Sequence, residues 1–320
     1  MNIAFAGFRH GHIFGLYKRA AVMEGVNIVG AWEADEAARI AAQQTVSEPF
    51  YNSYEELLAD ERVDAVAIGD YYGIRGQLII KALEAGKHVI ADKPLCTSLE
   101  ELKKIHRLAS EKQLKVECML DLRYDGTIRT TKKLIEEGRI GTVHAMAFTG
   151  QHPLNYGVRP MWYFEDGKHG GVINDIAIHG IDALRYMTNL EFVRPVAVRE
   201  WNAYAKAEPA FKDCAQFMAE YEGGAGVMAD VSYAAQAKTV EKMPSYWRFT
   251  IWGEKGCIEF KFGEDSIKFV DQASDDVEII ACEKVTECWL DDFVKPFDED
   301  HLIDIIASAE AALQIQNASK

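Results

Sequence analysis

Short apolar runs alternate with amphipathic segments over the first third of the chain. The apolar runs predict buried strands at residues 2–6, 26–32, 63–68, 88–91 and 114–118. Apolar positions at helical spacing predict helices at residues 13–23, 53–59, 76–85 and 99–110. This alternation specifies an α/β domain with a doubly wound parallel sheet, whose ligands bind beyond the carboxyl ends of the strands.

The pattern changes after residue 118 to strand-type runs separated by Gly, Asp, Glu and Lys turns. These runs predict strands at residues 142–149, 192–199, 214–221, 226–233, 247–251, 257–262, 267–270 and 277–282. Because few helices interrupt them, we expect an α+β domain with a large, mainly antiparallel sheet. One face of this sheet covers a helix at residues 173–188, and the other face, if apolar, needs a partner subunit.

We therefore divide the chain into three segments. Residues 1–121 form a dinucleotide-binding domain, residues 122–299 a substrate-binding and oligomerisation domain, and residues 300–320 a helix that packs back on the first domain. The length of 320 residues is sufficient for two domains with separate cores.

The negative net charge of the chain argues against two classes of binding partner. The formal charge is −15 at pH 7 with a pI near 5.1, which argues against nucleic acid and anionic membranes because both are polyanions. The six cysteines include no Cys-x-x-Cys pair, so they predict reduced, mostly buried thiols. No apolar run reaches the length of a membrane span and no basic leader precedes the first strand, so we expect a cytoplasmic protein.

The turn after the first strand is the predicted site of the cofactor's pyrophosphate. Gly7, Phe8, Arg9 and His10 follow the strand and precede a helix, whose first N–H groups bind phosphate in dinucleotide-binding folds. Of the three glycines in Gly-x-Gly-x-x-Gly only Gly7 is present, since Arg9 and His12 stand at the other two positions. Arg9 either displaces the cofactor or replaces the lost backbone contact with its guanidinium, and we favour the second alternative.

Glu33 follows the second predicted strand, where a carboxylate accepts hydrogen bonds from the adenosine ribose. The neighbouring Ala34 and Asp35 offer no base for a ribose phosphate, which favours NAD over NADP, although Arg39 lies one turn further on. Taken alone, Glu33 also fits a surface acid before a helix N-terminus.

Two loops lie at the carboxyl ends of the next strands. Asp70, Tyr71 and Tyr72 follow one strand, where the tyrosines either stack on the cofactor or narrow its pocket. Lys93 follows the next strand and precedes Pro94, which fixes the backbone at the ligand edge of the sheet. A lysine held there is a hydrogen-bond donor to substrate or part of a proton relay, unless it is an ordinary exposed loop lysine.

Residues 170–184 carry the predicted acid–base chemistry. At helical spacing Asp175 and His179 lie one turn apart on one face, while Ile173 and Leu184 lie on the other. A carboxylate and an imidazole so placed converge on one small molecule. The alternative is a solvated helix face opposite a packed one.

These motifs together resemble the glucose-fructose oxidoreductase and inositol dehydrogenase family (Gfo/Idh/MocA). The resemblance rests on residues 82–94, which end in Asp-Lys-Pro, on residues 133–142, and on Gly170-Gly171 with Asp175, His179 and Asp182. It implies an NAD-dependent oxidoreductase that moves hydride to or from nicotinamide C4, needs no metal, and forms a homodimer or homotetramer through the C-terminal sheet. It further implies that His179 is the general base and that Lys93 and Asp175 orient substrate and relay protons. The chain departs from the family at the glycine turn and at residues 69–75, where the family has Thr-Pro-x-x-x-His.

The loop at residues 151–162 is rich in aromatic and donor side chains. We expect it to cap the substrate pocket and to present His152, Tyr156, Arg159 and Trp162 to a polyhydroxylated ligand, because aromatic faces stack on sugar C–H surfaces. The family resemblance also implies substrate contacts for Arg123, His152 and Tyr233. His152, His169, Asp175 and His179 lack the short spacing of a helix-borne metal site, so we predict no metal.

Three functions remain open from the sequence. The first is an NAD-dependent dehydrogenase for a secondary alcohol or ketone of a sugar, polyol or sugar acid. The second is a glycosidase-type relative that uses NAD for transient oxidation, and the third is a non-catalytic ligand sensor, suggested by the altered glycine turn. Lys93, Asp175 and His179 argue against the sensor, since a sensor needs no general base.

Overall fold

The computed structural model describes residues 1–319 and separates them into two compact units. The first unit comprises residues 1–119, 167–170 and 288–309. The second comprises residues 120–166, residues 171–287 and the chain from Glu310 onward.

The first unit is built on a parallel sheet of five strands, with the order β2-β1-β3-β4-β5. The strands are β1 Asn2–Ala6, β2 Asn27–Trp32, β3 Ala65–Ile68, β4 His88–Ala91 and β5 Val116–Cys118. The helices are α1 Ile13–Ala20, α2 Glu36–Ala42, α3 Tyr54–Ala59, α4 Tyr72–Glu84 and α5 Leu99–Lys112. The predicted Rossmann architecture is confirmed, and the strand order reverses between β1 and β3, which is where such sheets bind ligands.

Local capping sets the start of three of these helices. Asp35, Ser53 and Ser98 accept hydrogen bonds from the backbone N–H groups of the first turns of α2, α3 and α5. Helix α1 follows His12, whose side chain makes no cap hydrogen bond. The start of α4 was predicted four residues too late, because fully buried Tyr72 already belongs to the helix.

The second unit contains an eight-stranded sheet with the order β13-β12-β11-β10-β6-β9-β8-β7. Its strands are β6 Val143–Gln151, β7 Phe192–Trp201, β8 Cys214–Tyr221, β9 Gly226–Ser232, β10 Arg248–Gly253, β11 Gly256–Lys261, β12 Ser266–Asp271 and β13 Val277–Ala281. All its pairs are antiparallel except β6 with β9. The predicted mainly antiparallel sheet is therefore confirmed.

Helices α6 Gly126–Glu136 and α7 Ile178–Thr188 complete the second unit. Helix α7 packs on β6 at Gly180, where a Cβ atom would lie 2.3 Å from the ring of Phe148. Two further helices are α8 Trp289–Phe293 and α9 Glu299–Asn317. Helix α9 belongs to the first unit as far as Ala309 and to the second from Glu310 onward.

The chain enters α7 through a π-helical turn at Ile173–Ala177, where a regular amphipathic helix was expected. Gln316 caps this turn, because its Oε1 accepts hydrogen bonds from the backbone N–H groups of Ile173 (3.1 Å) and Asn174 (3.2 Å). Gly171 makes room for that amide, since a Cβ there would lie 2.1 Å from the same oxygen. A π-turn changes the angular spacing of side chains, which single-period analysis of the sequence does not detect.

Within the described residues, no helix combines the length and the apolar composition needed to cross a membrane.

Candidate active site

Gly7 shapes the turn after β1 at the ligand edge of the first unit. Its φ of +80° lies in the left-handed region, and a Cβ atom there would lie 2.5 Å from the Cβ of Asp70. The next residue, Phe8, donates its backbone N–H to Glu33 Oε2 (2.5 Å). The turn is thereby tied both to the end of β2 and to the end of β3.

The guanidinium of Arg9, in the turn after β1, forms an ion pair with Asp70. Its Nε is 2.6 Å from Asp70 Oδ1, its Nη2 donates to Asp70 Oδ2 (2.9 Å), and the guanidinium lies 4.4 Å from the centre of the Tyr71 ring. Burial opposes the positive charge, yet the hydrogen bond and attraction from Asp70 raise the pKa of Arg9. Arg9 therefore replaces the second glycine with an ion pair that a phosphate would have to share or displace.

Glu33 is 4% exposed, and both of its carboxylate oxygens accept backbone hydrogen bonds. Besides Phe8, the N–H of Asp35 donates to Glu33 Oε1 (2.8 Å). Burial and the negative charge of Asp70 raise the pKa of Glu33. A carboxylate has about four lone-pair positions, so acceptor capacity for ribose hydroxyls remains.

The two tyrosines after β3 have different surroundings. Tyr71 is partly exposed and lies between the guanidinium of Arg9 and the ammonium of Lys168, whose Nζ is 5.2 Å from the ring centre. Tyr72 has no exposed surface, its hydroxyl is 3.1 Å from His10 Nε2, and its ring lies 5.5 Å from that of His169. Tyr71 is thus placed to stack on a ligand, whereas Tyr72 would first have to move.

The Asp-Lys-Pro segment follows β4 and is buried. Asp92 is fully buried, its Oδ2 bonds to His10 Nδ1 and accepts a hydrogen bond from Arg75 Nη2 (2.9 Å), and its Oδ1 is 3.3 Å from His12 Nδ1. Although burial opposes the charge, His10 and Arg75 hold the pKa of Asp92 well below its usual range. Burial in turn lowers the pKa of His10 to about 4, against the attraction of Asp92. Lys93, 6% exposed, has its Nζ 5.8 Å from the centre of the Tyr72 ring.

His10, His12 and Asp92 place their ligand atoms within 4.8 Å of one another, a grouping that sequence analysis did not anticipate. The spacing is compatible with a metal site. However, Arg75 approaches the same carboxylate oxygen as His10, and a fixed guanidinium beside that oxygen opposes a cation. We therefore interpret the cluster as an ion-pair hub, in which the carboxylate of Asp92 contacts Arg75, His10 and His12.

In the second unit, Asp175 and Tyr233 form a buried pair. The Tyr233 hydroxyl donates to Asp175 Oδ2, and the two residues are 3% and 2% exposed. Burial and the charge of Asp175 raise the pKa of Tyr233 well above its usual value. Tyr233, expected to contact substrate, uses its hydroxyl to hold the carboxylate.

His179 lies on α7 and is 7% exposed, so the alternative of a solvated helix face is excluded. Its ring centre is 5.7 Å from the indole of Trp247, at an interplanar angle of 70°. His152 lies 5.4 Å from the same indole at 77°. One tryptophan thus contacts two histidines that were both predicted to act at the site.

Trp247 was missed as a site residue and was instead predicted to begin a strand, which in fact starts at Arg248. It has a φ of +50°, which is rare for a bulky residue. Its ring occupies space left by Gly150, where a Cβ would lie 2.6 Å from the indole. The sequence carries no signal for this conformation, because only the packing of β6 and α7 requires it.

Arg123, expected to bind substrate, is instead paired with Asp182. Its Nε donates to Asp182 Oδ2 (2.7 Å) and its Nη2 to Oδ1, and the residues are 6% and 0% exposed. This bidentate pair joins the start of the second unit to α7. The partner lies 59 residues away in sequence, beyond the range of local patterns.

The loop at residues 151–162 is held by its own contacts. The Arg159 guanidinium donates to the carbonyls of Leu154 (2.8 Å) and Pro153 (2.8 Å). Trp162, 5% exposed, stacks on Tyr163 with ring centres 4.0 Å apart. Tyr156 is 52% exposed and donates its hydroxyl to Glu208 (2.9 Å). Of these side chains, that of Tyr156 is the most exposed.

Two family profiles match the chain. Residues 1–119 match the oxidoreductase family with an NAD-binding Rossmann fold, and residues 128–259 match the GFO/IDH/MocA C-terminal domain.

Individual relatives agree with these matches. The chain is 27% identical over 249 residues to levoglucosan dehydrogenase of Pseudarthrobacter phenanthrenivorans, covering 71% of this chain and 63% of that protein. It is 32% identical over 160 residues to scyllo-inositol 2-dehydrogenase (NAD(+)) of Bacillus subtilis, covering 49% and 44%. In such alignments the chain spans between 25% and 63% of the length of its curated relatives.

A crystallised protein from Erwinia carotovora atroseptica has the same fold. Its TM-score is 0.86 at 24% identity, and the superposition covers 100% of this chain and 99% of that one. The chain belongs to the Gfo/Idh/MocA oxidoreductase family, and residues 1–119 are its NAD-binding Rossmann domain.

Proposed function

We propose that this protein is an NAD(H)-dependent dehydrogenase acting on a secondary alcohol or ketone of a sugar, polyol or sugar acid, with His179 as general base. The observation that carries the proposal is the buried imidazole of His179 on α7, one turn after the carboxylate of Asp175. Buried acid–base side chains are enriched at catalytic sites.

The chain's residues divide the work of the proposed reaction. A bound NAD⁺ would supply the hydride acceptor, nicotinamide C4. His179 takes the hydroxyl proton of the substrate as the carbonyl forms, and returns it in the reverse direction. Lys93 orients the hydroxyl as a hydrogen-bond donor, while Asp175, held by Tyr233, orients the substrate and accepts protons onward.

The substrate class is inferred from the relatives and from the loop at residues 151–162. The names levoglucosan dehydrogenase and scyllo-inositol 2-dehydrogenase favour a polyhydroxylated ring. We assign direct contacts to His152 and to the 52% exposed Tyr156, and a supporting role to Arg159 and Trp162, whose guanidinium and ring stabilise the loop itself. We also assign Arg123 a supporting role, because its charge is paired with that of Asp182.

The cofactor preference follows from the end of β2. A 2′-phosphate beside the buried, negatively charged Glu33 and the neighbouring Asp35 would be repelled, so NAD is preferred to NADP. We assign Gly7, Phe8, Arg9, His10, Asp70 and Tyr71 to the same binding edge.

The outer face of the large sheet supports a homo-oligomer. Met218 and Met228 pair across β8 and β9 and are 48% and 56% exposed. Val196 on the adjacent strand β7 and Trp252 on β10, which β6 separates from β9, are also exposed. Apolar side chains of this kind are characteristic of subunit interfaces. We propose a homodimer or homotetramer through this face, in the cytoplasm, where the six free cysteines stay reduced.

A ligand sensor remains the second candidate because the Arg9–Asp70 ion pair occupies the phosphate turn. If that pair excludes the cofactor, the protein binds polyols without oxidising them.

A direct assay separates the two functions. The protein is mixed with NAD⁺ and a panel of inositols, aldoses, anhydrosugars and aldonic acids, and absorbance at the NADH band is followed. A dehydrogenase forms NADH with at least one member of the panel. Substrate binding by calorimetry without NADH formation would instead support the sensor.

A further inference from the structure

The guanidinium of Arg75 is fully buried beneath the Asp-Lys-Pro segment. Its Nη1 donates to three successive backbone carbonyls, those of Asp92 (3.0 Å), Lys93 and Pro94 (3.1 Å). Its Nε donates to the carbonyl of Asp70 (2.6 Å), and its Nη2 to the carboxylate of Asp92 (2.9 Å). A single side chain on α4 thus serves two adjacent loops at the ligand edge of the first unit.

These contacts determine the backbone of the segment that carries Lys93. Three successive buried carbonyls need donors, because a buried carbonyl without a hydrogen-bond donor destabilises the fold. Arg75 supplies that donor and is itself neutralised by Asp92, so no charge is buried alone. These contacts therefore stabilise the observed path of the chain through Lys93.

No other common side chain can take this place. A lysine keeps the charge but offers a compact ammonium with three donors, which cannot match the planar fork that meets carbonyls of both loops. A substitution at Arg75 is consequently expected to move the segment even when the charge is kept.

We propose that Arg75 is a positioning residue that sets the location of the Lys93 amine by clamping the backbone of residues 92–94. The proposal rests on the proposed function of Lys93, but the clamp itself is measurable without any substrate. Arg75 touches neither substrate nor cofactor in this role, and it acts only through the segment.

The first test follows Lys93 itself by NMR. Lysines are reductively methylated with ¹³C-formaldehyde, and the Lys93 resonance is assigned by its absence in Lys93→Arg. We expect Arg75→Lys to shift this resonance or split it, whereas Arg107→Lys, which alters an exposed pair with Glu111, leaves it unchanged. An unchanged Lys93 resonance in folded Arg75→Lys would overturn the proposal.

A second variant covers the case in which Arg75→Lys does not fold. Asp92→Asn keeps the side-chain shape and weakens the charged hydrogen bond to Nη2, together with the contacts of this carboxylate with His10 and His12, while the carbonyls of residues 92–94 still accept from Arg75. We expect a smaller shift of the Lys93 resonance, and an unchanged resonance in this folded variant counts against the clamp.

The second test uses turnover in the assay described above. Displacing a catalytic group by about 1 Å costs about 10²-fold in rate, so we expect kcat of Arg75→Lys to fall by about 10- to 100-fold while the Kd for NADH changes less than about threefold. Wild-type rates in Arg75→Lys overturn the proposal. If the wild-type protein oxidises no alcohol, the proposed function fails, yet the NMR comparison still decides the clamp.

Discussion

Among single residues, His179 is the one on which the proposed reaction depends most. Replacing it with Ala removes the proposed base, and we expect kcat to fall by about 10²-fold or more while NADH binding is nearly unchanged. His144→Ala is the matched control, because His144 is exposed on β6. Unaltered turnover in His179→Ala would remove this residue from the mechanism.

Two buried tyrosines allow a matched comparison of hydroxyl groups. Tyr233→Phe deprives the buried carboxylate of Asp175 of a donor, and we expect a loss of about 1–3 kcal/mol in the free energy of unfolding. Tyr221 is fully buried, and its hydroxyl has no hydrogen-bond partner among residues 1–319, so Tyr221→Phe is expected to cost nothing. Urea denaturation measures both, and equal losses in the two variants would contradict the assigned role of Tyr233.

Residue roles were only partly predictable from the sequence. The spacing of Asp175 and His179 indicated a polar pair, but not the hydrogen bond from Tyr233, which lies 58 residues away. The expectation that Arg123 contacts substrate came from the family resemblance, and the sequence did not reveal its pairing with Asp182, 59 residues away. The sequence did not indicate the role of Trp247, because the residue types around it do not predict its left-handed backbone conformation.

At the scale of elements, the turn after β1 and the segment after β4 together form the ion-pair hub around Asp92. Hydrophobic periodicity predicted β1, β4, α1 and α3, and α4 with a late start, but it did not predict α2 at Glu36–Ala42. It did not predict the ion-pair hub, because the hub depends on which strands are neighbours in the sheet and so bring their carboxyl ends together. The π-turn before α7 was missed for a similar reason, since Gln316 caps it from the far end of the chain.

The free energy of unfolding is expected to depend on pH because of His10 in the ion-pair hub. Burial lowers the pKa of His10 from 6.5 to about 4. Between these two pH values the unfolded chain therefore binds a proton at His10 that the folded protein does not bind. Stability is therefore full above pH 6.5 and falls as the pH drops toward 4, by about 3 kcal/mol at roughly 1.4 kcal/mol per pKa unit. Below that range His10 contributes no further change.

Urea denaturation of wild type and His10→Asn between pH 4 and 7 isolates this effect. The variant lacks the imidazole, so its stability should depend less steeply on pH over this interval. Parallel curves for the two proteins would contradict the assignment of a neutral, buried His10.

At the scale of the whole molecule, the two domain types were predictable because parallel and antiparallel sheets have distinct hydrophobic patterns. The alternation within β8 and β9 also exposes methionines on the outer face of the large sheet. What the pattern does not specify is the partner that covers them, since an apolar face is compatible with more than one assembly.

An oligomer through that face is tested by light scattering after gel filtration. Met228→Glu places a charge at the centre of the face, and we expect the mass of the assembly to fall to that of a smaller species. Val22→Glu is the control, since Val22 is 83% exposed and lies outside the sheet. A wild-type monomer at all concentrations would contradict the proposed interface.

The measurement that bears most directly on the central claim is a titration of the protein with NADH and with NADPH, followed by quenching of the emission of its six tryptophans. The account predicts saturable binding of NADH, with a Kd at least about tenfold lower than that for NADPH, because Glu33 and Asp35 repel the 2′-phosphate. Binding of neither nucleotide would contradict it. That result would mean that the Arg9–Asp70 pair and Tyr71 close the phosphate turn, and the sensor would become the better description of the protein.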